Sequence, residues 1–154
     1  MSQEKVVSVN RRAFHDYLIL ETLEAGLALT GTEIKSLRQG RVSLKEGYVR
    51  PERGEMWLEG VTIPPYEAGG PYNHPPTRPR KLLLHRDQIE LLAGQVSAKG
   101  YTLVPLKLYF KKGWAKLEIG LAKGKKLYDK RHALKEREAE REVERAFKGE
   151  KGKR

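Results

Sequence analysis

From the N-terminus to about Ala122, short apolar, β-favouring runs alternate with turn-forming clusters, a pattern of several strands rather than long helices. Asp16–Glu24 predicts a strand, which Ala25-Gly26 is expected to turn and Leu27–Leu29 to return. Thr30-Gly31-Thr32-Glu33 has the Ser/Thr-x-x-Glu form of a capping box, so a helix is predicted over Glu33–Gln39, with Gly40 as its stop. Tyr48–Arg50 and Met56–Ile63 read as strands around Pro51-Glu52-Arg53-Gly54, which is turn chemistry. Pro64–Pro79 holds six of the eight prolines together with Gly69-Gly70 and is expected to be a long exposed loop. Ile89, Leu92 and Val96 recur at helical spacing and predict a helix near Arg86–Lys99. Leu82-Leu83-Leu84 reads as a buried strand or the entry to that helix. Tyr101–Phe110 and Ala115–Ala122 predict a closing hairpin joined by Lys111-Lys112-Gly113. In its second arm Ala115, Leu117, Ile119 and Leu121 alternate with Lys116 and Glu118.

Several short strands with two or three helices point to a mainly β fold. The architecture expected is an antiparallel, OB-fold-like barrel with two to three flanking helices, a form widely used to hold nucleic acids. Residues 1–122 would form this domain. From Lys123 the character changes: Lys123–Arg154 carries 13 basic and 7 acidic residues and few apolar ones. Within it Ala133–Lys148 keeps a helical period, with Arg137, Arg141 and Arg145 on one line and a thin stripe of Ala139, Val143 and Phe147. An isolated helix of that length is marginal in water. Residues 123–154 are therefore expected to be a basic tail, disordered alone and helical on a partner, as basic RNA-recognising segments often are.

Charge narrows the class of partner. Of 154 residues, 31 are Lys or Arg and 20 are Asp or Glu, a formal net charge of +11, which draws the surface to polyanions. There is no cysteine, so neither a disulfide framework nor a thiolate metal site can form. No run has the length or apolarity of a signal peptide or a membrane span, and a cytoplasmic location is expected.

Catalytic chemistry is hard to assemble from these residues. Gly120-Leu121-Ala122-Lys123-Gly124-Lys125-Lys126 departs twice from a phosphate loop: the glycines are too close, and Lys126 stands where a magnesium-binding hydroxyl is needed. His15, His74, His85 and His132 show no metal spacing. If His15-Asp16 lies on a strand, the two side chains point to opposite faces and cannot grip one substrate. The expectation is a binding protein with no enzyme activity, cofactor or metal.

What survives are basic clusters: Arg11-Arg12, Lys35 with Arg38 and Arg41, Arg78 with Arg80-Lys81, Lys107 with Lys111-Lys112 and Lys116, and the tail. Tyr72, Tyr101, Tyr109, Trp114 and Tyr128 lie among them, and cations on phosphates with rings on unpaired bases are how RNA is held. Any single cluster is as well explained as a solvated face. Tyr109 and Trp114 flank a hairpin, where packing against each other across the strands is favoured over stacking on a base.

Specific strings go further than charge. Asn10-Arg11-Arg12-Ala13-x-His15-Asp16-Tyr17, Glu24-Ala25-Gly26 and Gly31-Thr32-Glu33-Ile34-Lys35-Ser36-Leu37-Arg38 resemble the small protein B family, whose members bind transfer-messenger RNA. Arg78-Pro79-Arg80-Lys81-Leu82-Leu83-Leu84-His85, then Gly100–Phe110, then Gly120–Lys126 with Tyr128-Asp129-Lys130-Arg131, follow in the family's order, so the resemblance runs from Asn10 to Arg131. Phe14, where a basic residue is common, and His74-Pro75-Pro76, in place of an acidic-Pro turn, depart from the pattern.

The resemblance implies an OB-type barrel that binds the tRNA-like domain of transfer-messenger RNA and delivers it to stalled ribosomes for trans-translation. The trapped chain is then tagged and released. By the same resemblance Glu24, Leu83 and Lys116 would contact the RNA, with Arg11, Arg12, Lys35, Arg38, Arg80 and Lys81 as further RNA-binding residues. His15 would lie near small-subunit ribosomal RNA at the decoding centre. Lys123, Gly124, Lys125, Lys126, Tyr128, Asp129, Lys130 and Arg131 would mark the tail segment used on the ribosome, the tail occupying the empty mRNA channel. Elongation factor Tu is a candidate further member of the delivery complex. A generic RNA-binding OB-fold protein associated with ribosomes is the alternative. A membrane-surface role and an RNA-modifying enzyme are weaker ones.

Overall fold

A computed structural model of the chain describes residues 4–124. Seven strands and three helices follow one another as β1 (Glu4–Val9), α1 (Arg11–Asp16), β2 (Tyr17–Leu27), α2 (Gly31–Arg38), β3 (Tyr48–Glu52), β4 (Glu55–Glu59), β5 (Arg80–Leu83), α3 (Arg86–Lys99), β6 (Thr102–Lys111) and β7 (Trp114–Gly124). A 3-10 helix over Glu67–Tyr72 interrupts the long connection between β4 and β5.

All pairings are antiparallel, in the order β1-β6-β3-β4-β5-β2-β7, and a further pairing of β6 with β7 closes the ring. Closure removes the open edges that a flat sheet would leave. β1 lies outside the ring, on the half of β6 that β3 does not reach: β1 pairs with Lys107–Lys111, and β3 touches β6 only at Val49↔Leu103. The fold is thus the expected OB-like barrel with flanking helices.

Alternation decides the inside. Leu117, Ile119 and Leu121 of β7, Leu108 of β6, Met56 and Leu58 of β4 and Leu82 of β5 are all essentially inaccessible and form one core with Leu37 of α2 and Leu92 of α3. A second, smaller cluster of Ala13, Val104, Leu106 and Ala122 seats α1 against the barrel wall. Asn10 anchors that helix from within: its side chain accepts from the Ala13 amide and donates to the carbonyls of Leu44 (3.2 Å) and Pro105 (2.8 Å).

The α2 capping box is present as predicted, with the Thr30 amide donating to Glu33 Oε1 at 2.8 Å. α3 matches the expected Arg86–Lys99. The hairpin turns Arg53-Gly54 and Lys112-Gly113 have both residues at positive φ, the backbone twist that suits two-residue hairpin loops. β3 runs on through Pro51 and Glu52, where only β4 pairs with it, so the missing proline N–H has no second neighbour to serve.

Several expectations need correcting. β1 and α1 were not predicted. Ala25-Gly26 is not a turn: β2 is one strand of eleven residues whose far end pairs with β7 on one side and β5 on the other. Pairing on both edges outweighs the weak local turn preference of Ala-Gly. His15-Asp16 closes a helix rather than lying on a strand, and His15 Nδ1 lies 2.9 Å from Asp16 Oδ1. The bond holds the Asp16 carboxyl below its ordinary range. The proline-rich segment is the long, largely exposed connection expected, but it carries a 3-10 helix and is pinned to the body. Its His74 is buried, bonded to Thr32 Oγ1 and the Ile63 carbonyl at 2.8 Å each.

Candidate nucleic-acid interface

The groove of interest follows from strand register. In antiparallel strands, residues directly opposite one another share a face. Gly26 of β2 is opposite Leu83 of β5 and also opposite Lys116 of β7, while Glu24 is opposite Glu118. Ala25 and Leu27 point into the core. Glu24, Leu83 and Lys116, which come from three separate strands, are therefore neighbours on the outer face, with Gly26 as a bare floor between them. They line a surface groove of about 690 Å³ that also takes in Lys81, His85 and Arg86.

Each wall has its own chemistry. Leu83 is 54% exposed although its neighbour Leu82 is buried, so an apolar surface is offered to the groove. Tyr109 Oη donates to Glu24 Oε2, and Lys111 Nζ lies 3.4 Å from the same oxygen. The Tyr109 bond, helped by Lys111, holds the Glu24 carboxyl below its ordinary value of 4.5, against the opposing effect of burial. Tyr109 itself is pushed up, first by burial and then by its bond to Glu24. Lys81 sits 2.6 Å from Glu55, another lining residue. The groove thus combines carboxylate, ammonium groups and an aliphatic patch, suited to RNA phosphates, sugars and base edges.

Arg80 has a different task. It is fully buried, its Nε is 2.6 Å from Glu33, and its guanidinium also donates to the carbonyls of Val61 (2.7 Å) and Pro76 (3.0 Å). With its donors consumed inside the protein it does not reach a phosphate, which corrects its assignment as an RNA contact. The reason is strand alternation: Lys81 faces out and Arg80 faces in.

The remaining cations are scattered. Lys35 lies 5.6 Å from the Tyr66 ring centroid and Arg38 5.9 Å from that of Phe110, so both rest on aromatic faces away from the groove lining. Arg11 and Arg12 are exposed on α1, where Arg12 pairs with Glu46 at 2.8 Å and with Asp16 at 3.4 Å. His15 is also exposed there. This second patch is at the other end of β2: Tyr17 is opposite Gly124, and Gly26 is opposite Lys116. Nine residues of strand separate the two ends, roughly 30 Å. Lys123 and Gly124, expected in the tail, belong to β7, where Gly124 is opposite Tyr17, the residue that follows α1. Lys125, Lys126, Tyr128, Asp129, Lys130, Arg131 and the predicted helix at Ala133–Lys148 lie outside the described residues.

Tyr109 and Lys111 stood among the candidate clusters without being tied to this groove, and His85 and Arg86 were missed as site residues. Tyr109 and Lys111 are legible only as outward positions on a strand; nothing local ties them to Glu24. Tyr109 is opposite Lys116 and is buried, while Trp114 is opposite Lys111 and is 72% exposed. Among the described residues no group of three or more His, Cys, Asp or Glu is placed to hold a metal ion, and no helix is long and apolar enough to cross a membrane.

Comparison with known proteins gives the family. A family model described as "SmpB protein" matches residues 7–149. The SsrA-binding protein of Roseiflexus sp. (strain RS-1) is 63% identical over 146 residues, covering 94% of this chain and 92% of its own. That of Geobacillus kaustophilus (strain HTA426) is 60% identical over 144 residues, covering 94% and 93%. A solved structure described as "tmRNA-SmpB: a journey to the center of the bacterial ribosome" is 55% identical, superposes with a TM-score of 0.65, and covers 77% of this chain and 83% of that one.

Proposed function

The chain belongs to the SmpB protein family, and on that footing we propose that it binds the tRNA-like domain of transfer-messenger RNA and delivers it to stalled ribosomes for trans-translation. The role is one of binding, not catalysis. The observation that carries the reading at the level of residues is the convergence of Glu24, Leu83 and Lys116 across Gly26. Lys116 and Lys81 neutralise phosphates, Leu83 packs on a sugar or base face, and Glu24 accepts a hydrogen bond from the RNA.

The opposite end of β2 serves the ribosome. His15, Arg11 and Arg12 face small-subunit RNA near the decoding centre, and residues 123–154 continue from beside α1 into the empty mRNA channel, becoming helical there. A protein with one RNA surface at each end of a barrel bridges two RNAs without catalysing anything. Elongation factor Tu belongs to the same delivery complex, and the work is done in the cytoplasm.

A gel-shift titration at about 0.15 M salt, near physiological ionic strength, tests the reading. It compares the tRNA-like domain with an ordinary tRNA and a plain duplex, for wild type and Glu24→Ala. Preference for the tRNA-like domain, weakened by Glu24→Ala, is expected. Equal binding to all three RNAs would leave a generic basic OB-fold protein and end the rescue assignment.

A further inference from the structure

Glu24 is a carboxylate on a surface that must hold a polyanion, so its orientation matters more than its charge alone. The groups that face it come from every neighbouring strand. β6 supplies Tyr109 and Lys111; β7 supplies Lys116 and, directly opposite, Glu118. β5 supplies uncharged Leu83, its Lys81 being held by Glu55. On the far side Lys107 pairs with Glu4 at 3.6 Å and lies 4.9 Å from the Tyr109 ring centroid, covering the ring. Tyr109 is therefore a rigid donor: its ring is buried and its hydroxyl aims at Glu24 Oε2. Among the described residues Oε1 has no hydrogen-bond donor.

We propose that Tyr109 is a positioning residue for RNA recognition, its hydroxyl clamping Oε2 of Glu24 so that Oε1 is the oxygen that accepts a hydrogen bond from the RNA. This rests on the RNA reading above. Without the clamp, Glu24 would rotate freely and swing toward Lys111 or Lys116, and each RNA contact would have to order it anew. The clamp also keeps the carboxyl ionised, since its strongest influence is the Tyr109 bond. An acceptor that stays charged bonds a donor more strongly than a neutral one does.

The test is Tyr109→Phe, which removes one oxygen from a buried ring and leaves the ring in place. Two readouts are used. In the free protein, the Glu24 carboxyl carbon is titrated by NMR. Its midpoint, below 4.5 in wild type, moves up toward 4.5 in the variant. In binding to the tRNA-like domain, Tyr109→Phe weakens affinity by about 3–10-fold, the usual net worth of one intramolecular hydrogen bond. The same change made on a Glu24→Ala background, which leaves no oxygen for the hydroxyl to hold, has almost no effect. An unmoved midpoint, or an equal loss on both backgrounds, would overturn the proposal by making Tyr109 merely structural. The titration needs no RNA, so it stands even if the tRNA-like domain is not preferred over a plain duplex, the result that defeats the functional reading. Should Tyr109→Phe fail to fold, protein made with 3-fluorotyrosine replaces it. Its more acidic phenol is a stronger donor and must lower the Glu24 midpoint further, and no shift would sink the idea.

Discussion

Glu33 of α2 and Arg80 of β5, 47 positions apart, form an ion pair at 2.6 Å with both side chains inaccessible to solvent. Arg78 joins them, its Nη2 at 2.5 Å from the other carboxylate oxygen. Burial pushes the Glu33 carboxyl up, but Arg78, the Thr30 amide and Arg80 together outweigh it and hold the group below its ordinary value of 4.5. One carboxylate thus caps a helix, neutralises two guanidiniums and fastens α2 to the strand that carries Leu83.

Glu33→Gln should leave Arg80 buried and uncompensated. Breaking one partner of such a pair costs roughly 3–5 kcal/mol, a far larger effect than any surface pair would give. Urea denaturation of the two proteins checks it, and a loss below about 1 kcal/mol, the range of exposed pairs, would refute the structural role.

The same pair carries a pH signature. Because the folded Glu33 value is depressed, its stabilisation is complete above the ordinary carboxyl value of 4.5 and is lost as pH falls through the lower folded value. The stability gap between wild type and Glu33→Gln is therefore widest near neutral pH and shrinks on acidification below 4.5. Thermal melts from neutral to acid pH would show it; a gap that widened in acid would contradict the assignment.

Arg80 and Lys81 are adjacent in sequence and should part in effect. Arg80→Ala lowers the melting temperature by removing the buried partner of Glu33. Lys81→Ala leaves melting nearly unchanged and weakens RNA binding. Identical behaviour of the two variants in both assays would show that strand alternation does not separate core from groove here.

Gly26→Ala separates binding from folding. An added Cβ would lie 3.1 Å from Leu83 Cβ, close enough to ask Leu83 to give by a few tenths of an ångström. Strand interiors generally favour Ala over Gly, so the fold tolerates the change. The groove floor is raised, however, and RNA affinity should fall about tenfold, equivalent to about 1.4 kcal/mol. Unchanged affinity by gel shift would mean that RNA does not approach this floor.

Lys116→Ala tests whether that side chain meets a phosphate. Loss of one phosphate contact weakens binding across RNA sequences and reduces the salt slope by about one. An affinity loss with the slope intact would assign Lys116 a role other than charge neutralisation.

The local elements were determined by the sequence itself. Thr30 and Glu33, three positions apart, specify a capping box wherever the chain is placed, and the helical period of Ile89, Leu92 and Val96 specifies α3. Alternation from Ala115 to Ala122 sets which side of β7 is core. These signals act over a few residues, so neighbours in sequence suffice to read them. The family strings, with net charge +11, pointed to RNA. Only tertiary structure decided the rest. Whether Ala25-Gly26 turns or continues depends on β5 and β7 pairing with both of its edges, and those strands begin more than fifty residues away. Arg80 looked like one more surface cation beside Lys81 because its partner Glu33 lies on another element. The bond from Tyr109 to Glu24 spans 85 positions. Register brings such residues together, and register is set by how the whole barrel closes over its core, which no local window of sequence contains.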